Sequence, residues 1–201
     1  MSSEARSTRQ AAPVQGREIG AQISGVFGTV FVWVNSGGLP AALRVALVIL
    51  AVCALVVIVF LSIRSYHAQR VGTQESARDH ESGERRLGPP FGWPYWIIVI
   101  IEVILLVGGS RLITSWGYPE LGVAWVAVVV GTHFFALARI FRLARFHLLG
   151  ASVTLLGVAG FVLRPLGALD AIAVVSGVAS GFVLLAFGLW AFAPDRSQPS
   201  A

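Results

Sequence analysis

The chain has 201 residues, 56% of them hydrophobic and 12% charged, with a mean hydropathy of +0.77. A soluble domain carries about 25% charged residues, so this composition excludes disorder and a charged coiled coil. A lone cysteine, Cys53, excludes an internal disulfide framework. The net charge of +5 does not signal nucleic acid: all basic residues are arginine, none lysine, and they stand at the ends of apolar runs as topology determinants do.

The fold class these features predict is all-α. It is a polytopic transmembrane helical bundle of five full spans plus a short N-terminal membrane-embedded segment, six crossings in all. The Lys-free, Ala/Val/Gly/Leu-rich usage fits a G+C-rich bacterial genome, and hence a bacterial plasma membrane.

Residues 1–20 are polar, with Arg6, Arg9 and Arg17 set against Glu4 and Glu18, and read as a mobile tail. Residues 21–38 are apolar only from Val26 to Val34 and end in Asn35-Ser36-Gly37-Gly38 before Pro40. A spanning helix needs about 20 apolar residues, so this segment is short. It could be a tilted first span, a re-entrant segment or the apolar region of a cleaved signal. The expectation adopted is a short membrane-embedded helix.

Five longer runs follow at 45–63, 94–113, 121–138, 146–163 and 171–193, fenced by residues such as Arg44, Arg64, Glu120, Arg139, Arg145, Arg164, Asp170 and Pro194. Each can cross a hydrocarbon core about 30 Å thick. Backbone polar groups in lipid must be satisfied within the segment, and the runs do not alternate as barrel strands do, so they are predicted helices. Residues 64–90 mix five arginines with four acids, His67 and His80, and read as a solvated cytoplasmic loop. The two histidines lack the spacing of a metal site. Residues 194–201 form a C-terminal tail. Aromatic belts with proline at a helix start appear at Phe91–Trp96 and Trp116–Pro119.

Arginine placement sets the orientation. Arg64, Arg70, Arg78, Arg85 and Arg86 lie after the 45–63 run, and Arg139, Arg142 and Arg145 lie between the 121–138 and 146–163 runs. The opposite side holds Arg111 and Arg164, with Arg44 near its edge. The loop, that turn and the C-terminus are therefore expected in the cytoplasm. If 21–38 also crosses, the N-terminus and its three arginines join them.

Glu102 stands near the centre of the 94–113 run, between Ile101 and Val103. A charge there costs at least about 2.5 kcal/mol, so the residue must be protonated, paired or facing a wet cavity. His133 is the one histidine in the interior of a run, His147 standing at the very start of another. At about 1.5 Å rise per residue the two differ in depth by one helical turn. A short loop makes their helices antiparallel neighbours, so Glu102 and His133 form a candidate proton or ion site. The alternative is a protonated acid acting as interhelical glue. The same depth rule puts Thr132, Thr154, Ser176 and Ser180, with Cys53, in a sparse polar layer. Hydroxyls in spans more often bond back to the preceding turn.

Gly150, Gly157 and Gly160 line the fourth long run, and Ala173, Gly177 and Gly181 the fifth. Such small-residue ridges let helices approach closely, either packing these two runs together or forming a homodimer face. Arg139, Arg142 and Arg145, with His147 nearby, form a basic edge. It reads as stop-transfer charge or as contacts for anionic lipid head groups. No HExxH, GxSxG, P-loop or CxxC occurs, and no second intramembrane acid makes a dyad with Glu102. No cofactor or metal is expected. The function these features suggest is a non-catalytic accessory or scaffold protein whose partners are the lipid bilayer and a membrane protein or a second copy. The alternative is a small proton-coupled carrier using Glu102 and His133. No inverted repeat supports the carrier.

Overall fold

The computed structural model describes residues 14–76, 93–141 and 145–193, and no strand occurs among them. They form six helices: α1 (Val14–Asn35), α2 (Ala41–Ser76), α3 (Trp93–Ser115), α4 (Gly122–Phe141), α5 (Arg145–Leu163) and α6 (Leu169–Trp190). Five are long and apolar enough to cross a membrane, through Ala41–Ser65, Trp96–Ser115, Pro119–Arg139, Arg145–Leu163 and Leu169–Trp190. These are the five long runs of the sequence, each within a few residues of its expected bounds except at the end of α2.

Two elements differ from expectation. α1 begins at Val14, inside the polar 1–20 stretch, and its 22 residues reach about 33 Å. Its inward face explains both its length and its weak hydropathy. Ala21, Ser24, Gly25 and Gly28 are buried there at spacings of three and four, small residues that add little apolar weight but permit close packing. α2 continues through half of the expected 64–90 loop, and its 36 residues reach about 54 Å, well beyond a hydrocarbon core. The rest of that loop, the 1–13 part of the tail, the α4–α5 turn at 142–144 and residues 194–201 lie outside the described residues.

The visible turns have local causes. Gly117 takes φ +85° between α3 and α4, where an L side chain would be strained, and the Tyr118 amide closes the bend on the Ile113 carbonyl at 3.2 Å. Pro119–Leu121 then forms a 3₁₀ turn leading into α4. Gly167, at φ +75°, does the same between α5 and α6.

α4 and α5 form the most extensive pair, α1 runs between α2 and α6, and α3 docks chiefly on α4. One core cluster joins α1, α2 and α6 through Val32, Ala51, Ile58 and Leu185. A second joins α1, α4, α5 and α6 through Phe31, Val130, Leu149, Val153 and Leu184. A third closes the other end with Ile113, Leu121, Ala124 and Ile172. α2 and α3 are the outer helices: only 17% and 6% of their apolar windows are buried, against 50% for α6.

The small-residue ridges do not simply pack α5 on α6. Gly150 and Gly157 lie against α4, at the Gly131 carbonyl and at Ala124 and Val128. Gly160 does meet α6, at Ser176 and Ile172. Gly177 and Gly181 face α1 instead, at Asn35 and at Gly28 and Val32, while Ala173 is half-buried. Gly28 and Gly181 meet backbone to backbone: a Cβ added to either would come within 2.7 Å or 2.6 Å of the other's carbonyl oxygen. α1 takes the α6 face because its own small residues match it. All five glycines are therefore occupied within the chain.

Candidate functional site

α3 is apolar almost throughout, so its sequence alone does not say which way Glu102 points. Packing decides it. Between Trp96 and Ser115 only Ile98, Val99, Glu102, Leu106, Gly109, Ser110 and Ile113 are even partly buried. Glu102, Leu106, Gly109 and Ile113 stand at spacings of four, three and four, the repeat of a seam between two helices. Glu102 is thus on the α4 side.

Across that seam, His133 Nδ1 lies 3.0 Å from Glu102 Oε2, with side-chain exposures of 11% and 18%. The carboxylate sits off the line of a ring N–H, and Nδ1 makes no directed hydrogen bond. The contact is therefore a close charge or proton pairing rather than a well-aligned donor and acceptor. Either distribution of one proton leaves the pair with no net charge: carboxylate with imidazolium, or carboxylic acid with imidazole. That neutrality makes the pair far cheaper in apolar surroundings than either ion alone. Phe134 stands edge-on to the His133 ring at 6.1 Å between centroids and helps fix it.

A second polar fastener was not anticipated from the sequence. Trp125, two turns from His133 along α4, donates its indole N–H to the Leu105 carbonyl of α3 at 2.8 Å. The ring lies directly over Gly109, where any Cβ would overlap it. The signal was present as a glycine on one helix opposite a tryptophan on the next, but register between helices is needed to read it.

The expected polar layer does not assemble around the pair. Thr132 is exposed on α4 and bonds back to Val129 O at 2.9 Å. Thr154 stands against Gly131 of α4, and its Oγ1 is buried without a hydrogen-bond partner. Gly131 and His133 are about 200° apart around α4, so Thr154 and Glu102 occupy opposite faces. Ser176 belongs to the α5–α6 contact, donating to Leu156 O at 2.8 Å. Ser180 is wholly buried in α6, its Oγ likewise unpartnered. Cys53 is exposed on α2.

Of the basic edge, Arg139 is exposed and Arg145 is half-buried, while Arg142 lies outside the described residues. Arg145 borders a shallow cleft with Gly20, Ala21, Phe146 and Phe187, where α1, α5 and α6 meet. His147 stacks obliquely near Phe135, 5.9 Å between centroids. At the other end of the bundle, Arg164 Nε pairs with Glu120 Oε1 at 2.9 Å, and its guanidinium lies 3.8 Å over the Tyr118 ring. This ties the α3–α4 bend to the end of α5. Asp170 is exposed. Among the described residues no group of three or more His, Cys, Asp or Glu is placed to hold a metal ion.

The chain matches no protein-family model, no curated protein and no solved structure.

Proposed function

We propose that this chain is an integral membrane protein of a bacterial plasma membrane, crossing six times with both termini in the cytoplasm, and that it acts as a non-catalytic accessory or scaffold. The observation that carries this reading is the setting of the Glu102–His133 pair. It joins two helices across a packed seam, in line with Leu106, Gly109 and Ile113, and the cleft bordered by Arg145 lies between other helices. In this setting the pair serves as a fastener that holds the outermost helix on the bundle. The glycine faces are engaged internally, which leaves the apolar outer faces of α2 and α3 to meet lipid or a partner protein. Arginine asymmetry supports the orientation, and Arg139 and Arg145 suit head-group contact at the cytoplasmic interface.

A small proton-coupled carrier is the second reading. In its favour, two titratable groups meet at 3.0 Å between helices. Proton flux into proteoliposomes, with wild type beside Glu102→Gln and His133→Ala, separates the two. The scaffold reading expects all three to match protein-free vesicles, with Glu102→Gln folded because the amide retains a polar contact. Flux in wild type that Glu102→Gln abolishes would replace the scaffold by the carrier.

A further inference from the structure

Within the 22 residues of α6, the seven from Ala173 to Ala179 are wound as π-helix. Such turns are rare and are frequent at functional sites. Here packing grips the turn from both sides. Ser176 sends its hydroxyl to Leu156 O of α5 at 2.8 Å, and the Asn35 side chain of α1 lies directly against Gly177.

The residue that follows the π turn carries an unused hydrogen-bonding group. Ser180 is wholly buried, its Oγ has no partner, and its amide bonds to the Gly177 carbonyl three residues back. In α-wound stretches the hydroxyls of Thr29, Ser62 and Ser152 each bond to the carbonyl four residues back at 2.9 Å, whereas Thr132 bonds three back and Thr154 makes no such bond. An α-wound turn would offer Ser180 the same bond to the Ser176 carbonyl. The π form therefore keeps its interhelical grips and forgoes a buried hydrogen bond, while the α form gains that bond and loosens the grips. Opposed terms of this kind are a condition for two populated states.

We propose that Ala173–Ala179 is a winding switch: α6 passes between the π form and an α form in which Ser180 bonds back to Ser176, turning the Ser180–Trp190 half against α1. The surface on which it turns is the Gly28–Gly181 crossing, where the two backbones meet and the Leu185 and Val32 side chains seat beside the glycines. The Ser24 hydroxyl, which donates to Leu184 O at 2.7 Å, is the bond exchanged as that half moves. The switch is independent of whether the chain is a scaffold or a carrier.

Relaxation-dispersion NMR on deuterated, ¹⁵N-labelled protein in lipid nanodiscs tests it, with wild type beside Ser180→Ala and Asn35→Ala. Wild type should show microsecond-to-millisecond exchange at amides 177–181 that is absent from the exposed face of α5 around Leu155 and Val158. Ser180→Ala deletes the bond that only the α form makes, so the minor population should fall about fivefold, the weight of one ordinary hydrogen bond. Asn35→Ala removes a grip on the π form and should raise it. Flat profiles in wild type, or exchange that Ser180→Ala leaves unchanged, overturn the switch. Helical circular dichroism confirms folding, and if Asn35→Ala does not fold, the Ser180→Ala comparison decides alone.

Discussion

At the scale of single residues, Glu102 and His133 form one energetic unit. Truncating either alone strands a polar group in the α3–α4 seam, whereas removing both leaves only a packing defect. Unfolding of Glu102→Ala, His133→Ala and the double variant in micelles should therefore give a double-variant loss smaller than the sum of the singles, with a coupling of about 0.5–3 kcal/mol. Additive losses would mean that the 3.0 Å contact contributes nothing. Gly131 permits a sharper contrast. A Cβ there meets the Thr154 hydroxyl, amide and Cα, and backbone atoms cannot swing aside. Gly131→Ala should cost about 1–3 kcal/mol, as overpacking does. Gly108→Ala, on the open face of the neighbouring helix with nothing within 4 Å, should be neutral or mildly stabilising. Similar losses in thermal unfolding would show that glycine matters here for flexibility rather than for approach. Much of this was legible early: Glu102 and His133 stood out because ionisable groups are costly among isoleucines and valines. The Trp125–Gly109 fastener was not legible, because nothing local marks an indole that will lie on another helix.

At the scale of elements, α1 is the informative case. In hydropathy it falls below the other five, yet it carries buried residues from Ala21 to Val32 and packs against both α2 and α6. Its partner surface is backbone rather than side chain, and close backbone approach depends on small residues instead of apolar ones. Six crossings require the N-terminus and the C-terminus to share a side. Green fluorescent protein fused ahead of residue 14 or after residue 201 should fluoresce in both cases, and alkaline phosphatase at the same two points should stay inactive. Active phosphatase at the N-terminal fusion alone would make α1 a non-crossing helix and leave five spans. α3 is the opposite case, strongly apolar but held along a single seam, so its docking depends on a few contacts at Glu102, Leu106, Gly109 and Ile113.

At the scale of the whole molecule, the helices are graded by burial from α6 at the centre to α3 at the edge. The exposed aromatic residues fit the proposed placement. Trp96 and Trp116, both exposed, are 20 residues apart on and just beyond α3, about 30 Å by helical rise, the thickness of a hydrocarbon core. The Arg164–Glu120 pair with Tyr118, and the basic residues around Arg139 and Arg145, then fall near opposite interfaces. The seam glycines of α1, α4, α5 and α6 face other helices, while most isoleucines of α2 and α3 face outward.

Composition and run length by themselves determined that the chain is all-helical and which five segments are long and apolar enough to span, because satisfying a backbone in hydrocarbon is a local requirement. They also singled out Glu102 and His133, because the cost of a charge depends on its immediate neighbours in sequence. Tertiary structure alone decided which face of each helix is inward. It brought Glu102 to His133 and put Thr154 on the opposite side of α4. It also assigned Gly177 and Gly181 to α1 and wound the centre of α6 as π-helix. Nearly uniform apolar helices carry almost no rotational preference of their own, so their orientation is fixed only when ridges, glycines and the few polar atoms meet a neighbour.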